Sequence, residues 1–219
     1  MFALVSPEQI QLPPGAVVRL PGTWQDYQIL SQQRGDNSIP RIKYRTREVL
    51  LMAPLPEHGR NANLLADVVK ALLDYFEREY EACTPITMEV PEQSGIEPDY
   101  CFYIDNWEAV ASKKRINWSI EPPPDLLLEV DVTSYTDVND YLLYRVSEVW
   151  LLKGQLAIYQ LEGEDYRLQT SSQYFPNMNL QTLVAECFHT AYERNTSAAI
   201  RALKQSLSAP NYYLSAPNH

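Results

Sequence analysis

Three carboxylates stand at or near the ends of segments that have the composition of strands. Asp99 follows Pro98 and opens DYCFYI, while Glu129 ends the apolar run 126–128 and Asp131 lies two residues further on. Side chains alternate along a strand, so Glu129 and Asp131 are expected on one face. Carboxylates at the end of a buried strand need a partner, and two on one face repel each other. A divalent cation would relieve that repulsion, and oxygen ligands suit Mg²⁺ or Mn²⁺.

The same residues also allow a purely structural interpretation. In it, Glu129 emerges into solvent and Asp131 caps a turn with Thr133 and Ser134. Other chemistries have less support, because neither a G-x-S-x-G nor a C-x-x-C motif occurs. Two carboxylates could serve a glycosidase, but no repeated βα pattern predicts a sugar-binding barrel. His58 is interpreted as a turn or helix N-terminal residue rather than a catalyst.

Composition narrows the class of protein. The chain has 219 residues, with 18 Lys plus Arg against 28 Asp plus Glu, and a net charge of −10. This balance argues against a chain-wide basic surface, although it leaves room for a local basic groove. Three widely spaced cysteines are expected to be free thiols in a reducing, cytoplasmic setting. No run of about 18 apolar residues occurs, so no membrane span is predicted.

The helices and strands that must position the carboxylates can be predicted from hydrophobic periodicity and from turn-forming residues. Residues 41–52 alternate as a hairpin with its turn near Thr46–Arg47, and residues 61–81 carry a wide apolar stripe typical of a core helix. The run 125–132 is almost wholly apolar before Glu129, which predicts a central strand buried on both faces. We predict three parts: an N-terminal arm (1–40) with a short helix from Thr23, a domain (41–206) that includes C-terminal helices, and a tail (207–219).

Two clusters of basic residues could face a phosphate backbone. Arg41, Lys43, Arg45 and Arg47 occupy alternating positions, which would place all four on one face of a regular strand. The second cluster lies in a loop beside Trp107 and Trp118, where a solvated loop is the competing interpretation. Its members are Lys113, Lys114 and Arg115.

The chain resembles a large bacterial family of restriction-endonuclease-like proteins with the PD-(D/E)XK nuclease core. The resemblance runs from about Pro40 to Leu183. Its motifs occur in the family's order: EPDYCFYI, PPPDLLLEVDVTS, VSEVWLL and LAIYQLE. It implies an α/β (α+β) fold, in which helices flank a mixed sheet. The MAP–P–EH stretch also matches, although many relatives carry an acidic residue where Gly59 stands.

The resemblance also implies roles for individual residues. Asp99 and Glu129 would be metal ligands, with the backbone carbonyl of Val130 as a third. The (D/E)XK pattern has Lys where Asp131 stands, and relatives with EVD carry their lysine in the following helix. Here that segment, 135–150, contains no Lys. Arg145 is the predicted stand-in, so the catalytic group comprises Asp99, Glu129, Asp131 and Arg145. Lys43 and Arg47 are further candidates.

The sequence therefore predicts a Mg²⁺- or Mn²⁺-dependent DNA endonuclease, with activity reduced by the missing lysine. The other hypothesis is a non-catalytic nucleic-acid-binding or assembly protein that retains the fold. A homodimer is also expected, because the Tyr-rich segment 159–175 could supply an interface.

Overall fold

The computed structural model describes residues 12–35, 37, 39–84, 86–118, 120–132 and 136–209. Thr133, Ser134 and the predicted tail beyond residue 209 lie outside the described residues. The described chain forms two sheets flanked by helices. The strands are β1 (Val17–Pro21), β2 (Arg41–Arg45), β3 (Glu48–Met52), β4 (Glu81–Cys83), β5 (Met88–Val90), β6 (Ser94–Ile96), β7 (Tyr100–Tyr103), β8 (Leu126–Val130), β9 (Glu148–Lys153), β10 (Gln155–Glu162) and β11 (Asp165–Gln169). The α-helices are α1 (Trp24–Arg34), α2 (Pro56–Tyr75), α3 (Leu180–Glu193) and α4 (Thr196–Ser208).

The first sheet has the order β1-β3-β2-β6-β5, and all its pairs are antiparallel. The predicted hairpin is confirmed as β2 and β3. Thr46 and Arg47 form its turn, and both have positive φ, as a two-residue hairpin turn of this hand requires. The predicted arm supplies β1 and α1. Helix α1 begins at Thr23 as expected, because Thr23 and Asp26 form a reciprocal capping box.

The two faces of the first sheet differ in character. Ile42, Tyr44 and Val49 point to one side, where they pack with Tyr27 of α1 in a small core. The register pairs Arg19 with Leu50 and Leu50 with Lys43, so these three side chains share the opposite face. The alternation that buries Ile42 and Tyr44 therefore turns the basic residues of β2 the other way.

The second sheet has the order β11-β10-β9-β8-β7-β4. It is mixed, since β8 and β9 run parallel while the other pairs are antiparallel. Every residue of β8 is buried, which confirms the predicted central strand. Its neighbours include α2, whose apolar side contributes much of the main core. Helix α2 begins earlier than periodicity predicts, because Pro56 occupies its first turn without losing a hydrogen bond.

The C-terminal part completes the main core with α3 and α4. The aromatic residues expected to supply a dimer interface lie mostly inside the subunit: Tyr166, Tyr174 and Phe175 are all buried. Leu168 on β11 remains exposed. The homodimer stays a prediction. Within the described residues, no helix combines the length and apolarity that crossing a membrane requires.

Candidate active site

Asp99 is the most deeply buried carboxylate of the predicted site, at 1% exposure. It precedes β7, and its Oδ2 accepts a hydrogen bond of 2.9 Å from the Val130 N–H at the end of β8. Its Oδ1 lies 2.8 Å from His58 Nε2 and also accepts from the Arg41 guanidinium. Burial acts to raise the pKa of Asp99, but the His58 hydrogen bond and the Arg41 charge outweigh it and lower the pKa. Asp99 is therefore held in its ionised form.

Glu129 is the penultimate residue of β8, and its pKa is shifted in the opposite direction from that of the neighbouring Asp99. Burial raises the pKa of the Glu129 carboxyl well above its usual value, and the Asp99 charge adds to the rise. Lys43 and Arg41 act to lower that pKa without overcoming the burial. The Tyr141 hydroxyl donates to Glu129 Oε1 and fixes the orientation of the carboxyl. Glu129 is 9% exposed, so the interpretation that it emerges into solvent is wrong.

A cavity of about 60 Å³ lies between the basic face of the first sheet and the end of β8. It brings together residues of both sheets and of α2. Its polar lining comprises Arg19, Arg41, Lys43, Arg45, His58, Glu97, Glu129, Thr136 and Tyr141. The fold therefore places a row of cations directly against a buried carboxylate pair.

The segment after β8 forms a 3₁₀ helix, Val138–Tyr144. Asp137 begins this helix and accepts from the Asn139 N–H at 3.0 Å. Asp140 forms an ion pair with the Lys43 ammonium and lies 2.9 Å from the Arg45 guanidinium. In the segment where the resemblance implies a lysine, Asp137, Asn139 and Asp140 are thus acidic or amide side chains, and Asp140 binds Lys43 from β2.

Arg145 does not lie at the carboxylates, so its predicted catalytic role needs correction. Its guanidinium is 3.5 Å from Glu164 Oε1 and 3.2 Å from the Gly163 carbonyl, and its side chain is 58% exposed. The reason is the period of the helix. In an α-helix Arg145 would share a face with Tyr141, but with three residues per turn it is rotated away by about a third of a turn. Its left-handed backbone conformation then ends the helix.

We therefore expect Arg145→Ala to leave any nicking activity within about twofold of wild type. The lost surface ion pair with Glu164 should cost about 1 kcal/mol of stability or less. Plasmid nicking and thermal unfolding, run side by side on the two proteins, check this. A tenfold fall in nicking at unchanged stability would return Arg145 to the site.

Asp131 lies one residue beyond the end of β8, and it lines a different cavity from Glu129. It lines a second, larger cavity of about 540 Å³, which the first turn of α2 and the helix α3 also border. Its carboxylate accepts hydrogen bonds from the Thr136 N–H at 2.9 Å and the Thr136 hydroxyl at 2.7 Å. Asp131 therefore binds Thr136, the first described residue after the gap at 133–135. The interpretation that it caps a turn with Thr133 and Ser134 falls on residues outside the described part of the chain. Its charge still contributes to raising the pKa of Glu129.

The remaining predicted basic residues lie away from the cavity. Arg47 is in the turn of the hairpin at φ 64°, so the alternation that aligns Arg41, Lys43 and Arg45 ends before it. The prediction of four cations on one face is therefore wrong for Arg47. The loop residues Lys113, Lys114 and Arg115 are all exposed, and Lys113 pairs with Glu121 at 2.6 Å.

Several residues of the site were not predicted from the sequence to belong to it. His58 and Asp99 are 41 positions apart, and only the packing of the first turn of α2 brings them together. Asp140 and Tyr141 lie in segment 135–150, in which the sequence pointed only to Arg145 and to the absence of a lysine. Arg19 belongs to the irregular N-terminal segment, and only the β1–β3 register shows that it joins the basic face.

The donor atoms suit a hard divalent cation, since two buried carboxylates lie close enough for one to raise the pKa of the other. Among the described residues no group of three or more His, Cys, Asp or Glu is arranged to hold a metal ion. Asp99 and Glu129 would therefore need an oxygen from outside that set. The resemblance implies the carbonyl of Val130, the residue after Glu129, whose N–H lies 2.9 Å from Asp99 Oδ2. Carboxylate and carbonyl oxygens are the kind of ligand that Mg²⁺ and Mn²⁺ prefer.

A mixed sheet with paired carboxylates at its strand ends, beneath a basic face, defines a restriction-endonuclease-like protein. The family model Uma2, described as putative restriction endonuclease, matches residues 24–191, so the chain belongs to that family. A crystal structure of a putative nuclease belonging to DUF820 from Anabaena variabilis ATCC 29413 matches with a TM-score of 0.50 and 13% identity, over 84% of this chain and 99% of that one. No curated protein matches. The predicted family and fold class are confirmed.

Proposed function

We propose that the protein is a divalent-metal-dependent endonuclease that hydrolyses phosphodiester bonds of DNA. The observation that carries the proposal is the buried Asp99–Glu129 pair beside the basic face of β2, where Arg41 binds Asp99 and Glu129 lines the same cavity as Lys43. The cations of β2 suit an anionic substrate such as a phosphodiester. The carboxylate pair suits the metal ion that such a substrate needs when an anionic nucleophile attacks it. Membership of a family described as putative restriction endonuclease supports the same reaction.

In this proposal, three residues would bind the metal ion and two others would position its ligands. Asp99 and Glu129, with the Val130 carbonyl, would hold the metal ion. Such an ion neutralises phosphate charge and makes bound water more acidic. His58 keeps Asp99 ionised and fixed in position, and the Tyr141 hydroxyl fixes Glu129.

The backbone of the nucleic acid needs its own contacts. Arg19 on β1 lies along the basic face and would bind a phosphate that flanks the one that reacts, while Arg45 on β2 is paired with Asp140. Guanidinium groups suit this role, because their planar donors match phosphate oxygens.

A second candidate has a specific observation in its favour. Both oxygens of Asp99 already accept hydrogen bonds, and Arg41 provides the positive charge that a metal ion would bring. A protein that binds nucleic acid on the basic face without cutting it would need no more than this.

Supercoiled plasmid incubated with Mn²⁺ or with EDTA decides between the two. We expect open-circular product to accumulate in Mn²⁺ and not in EDTA, and Glu164→Gln, at an exposed site beside Arg145, to behave as wild type. Binding of the plasmid without nicking in Mn²⁺ or Mg²⁺ would favour the non-catalytic candidate.

A further inference from the structure

The described part of the segment after β8 offers no lysine, and Arg145 points to the β10–β11 turn. We propose that Lys43, delivered from β2 and positioned by Asp140, is the ammonium group that binds the reacting phosphate. The inference rests on the proposed nuclease function. It reverses the arrangement that the resemblance implies, in which the segment after β8 carries the lysine. The segment after β8 provides an anion that holds the cation, instead of providing the cation.

The placement of Lys43 is the first argument. It lies on the basic face of the first sheet between Arg41 and Arg45, lines the same cavity as Glu129, and its side chain is only 12% exposed. Arg41 is paired with Asp99 of the carboxylate pair, whereas Asp140, the partner of Lys43, has Arg45 as a second cation.

The second argument is that adjacent residues of one short helix hold both groups. Tyr141 donates to Glu129, and its neighbour Asp140 binds Lys43. The 3₁₀ helix therefore fixes the carboxylate and the ammonium relative to each other. A cation fixed in advance stabilises developing charge without the cost of reorganising at the moment of reaction.

The third argument is that Asp140 does not depend on Lys43 for its own charge balance. Arg45 NH1 lies 2.9 Å and 3.1 Å from the two Asp140 oxygens. One partner already satisfies the carboxylate, so a second cation is not needed for burial alone. Lys43→Gln should therefore fold, since Asp140 keeps the Arg45 ion pair.

The first test is activity. We expect Lys43→Gln to lower Mn²⁺-dependent nicking about 10²-fold, with Lys43→Arg recovering part of the loss. Lys204→Gln is the matched control, because Lys204 also pairs with an aspartate, Asp74 at 3.5 Å, but on the exposed side of α4. Nicking by Lys43→Gln at the wild-type rate overturns the proposal.

The second test does not require cleavage. Binding of a labelled DNA duplex in EDTA is followed by fluorescence anisotropy over a range of salt concentrations. The slope of log Kd against log salt should be smaller by about 0.9 in Lys43→Gln and unchanged in Lys204→Gln, as one lost phosphate contact requires. An unchanged slope in Lys43→Gln overturns the proposal whether or not the protein cuts. A smaller slope in a protein that never nicks supports the Lys43 contact and contradicts the nuclease.

A double-mutant cycle tests Asp140 as the positioning residue. If Asp140 acts through Lys43, then Asp140→Asn should reduce nicking in wild type and have no further effect in Lys43→Gln. A purely structural role would make the two losses multiply, and that result removes Asp140 from the proposal.

Discussion

Glu129→Gln is expected to abolish Mn²⁺-dependent nicking while making the metal-free protein more stable. The substitution removes a proposed metal ligand, and we expect a loss of at least about 10²-fold in nicking. It also removes a carboxyl that burial and Asp99 make costly to ionise, while the amide oxygen can still accept from Tyr141. Wild type should gain about 2.7 kcal/mol of stability at Mn²⁺ near 100 times Kd, and the variant almost none.

The stability gain should depend on pH. The folded-state pKa of Glu129 is raised, so the folded protein binds more protons than the unfolded chain between the unfolded value of 4.5 and the folded value. Stability from this group is present below pH 4.5 and is lost as pH rises, by about 1.4 kcal/mol per pH unit until the folded pKa is passed. The difference in unfolding free energy between Glu129→Gln and wild type should therefore widen above pH 4.5.

Denaturant unfolding of both proteins in EDTA from pH 5 to 8 measures that difference. The exposed Glu164→Gln serves as control, and its stability should follow wild type at every pH. A gap between Glu129→Gln and wild type that stays constant across this range would show that Glu129 titrates normally. Equal Mn²⁺ responses in the two proteins would remove Glu129 from the metal site.

The success of sequence reasoning here followed from local physical constraints. The hairpin was predictable because alternation and a two-residue turn both act within twelve residues. Strand β8 was predictable because a run of leucines has to be buried, which favours a central strand. Asp99 and Glu129 were found because a carboxylate at the end of an apolar strand is costly without a partner. Strands β4 and β6 were missed, since three residues are too few to show a period.

The errors at the site have a different origin. Arg145 was predicted as a stand-in for the lysine because it is a cation in the segment after β8, whereas that segment is a 3₁₀ helix that turns every three residues and ends at Arg145. Nothing in the local composition of 138–144 distinguishes a 3₁₀ helix from an α-helix. His58 and Arg41 reach Asp99 only through tertiary packing, across sequence separations of 41 and 58 residues.

The Arg41–Asp99 ion pair raises the question of how a metal ion would reach Asp99. We expect Arg41→Gln to destabilise the metal-free protein, because it leaves Asp99 with the partial compensation of His58 and the Val130 N–H. Breaking a buried pair costs about 3–5 kcal/mol; Arg41 is 21% exposed, so the lower end of that range applies. For a chain of this size each kcal/mol lowers the melting temperature by about 2–4 °C.

Mn²⁺ should reverse the destabilisation. The ion and the guanidinium bring positive charge to the same carboxylate, so removing Arg41 should lower the apparent Kd for Mn²⁺ by about tenfold or more. The increase in melting temperature caused by Mn²⁺ should thus be larger in Arg41→Gln than in wild type. Arg167→Gln is the matched control, since Arg167 pairs with Asp165 in an exposed position, and both its melting temperature and its Mn²⁺ response should be those of wild type. An Arg41→Gln protein with the wild-type Mn²⁺ increment would mean that the ion does not bind at Asp99.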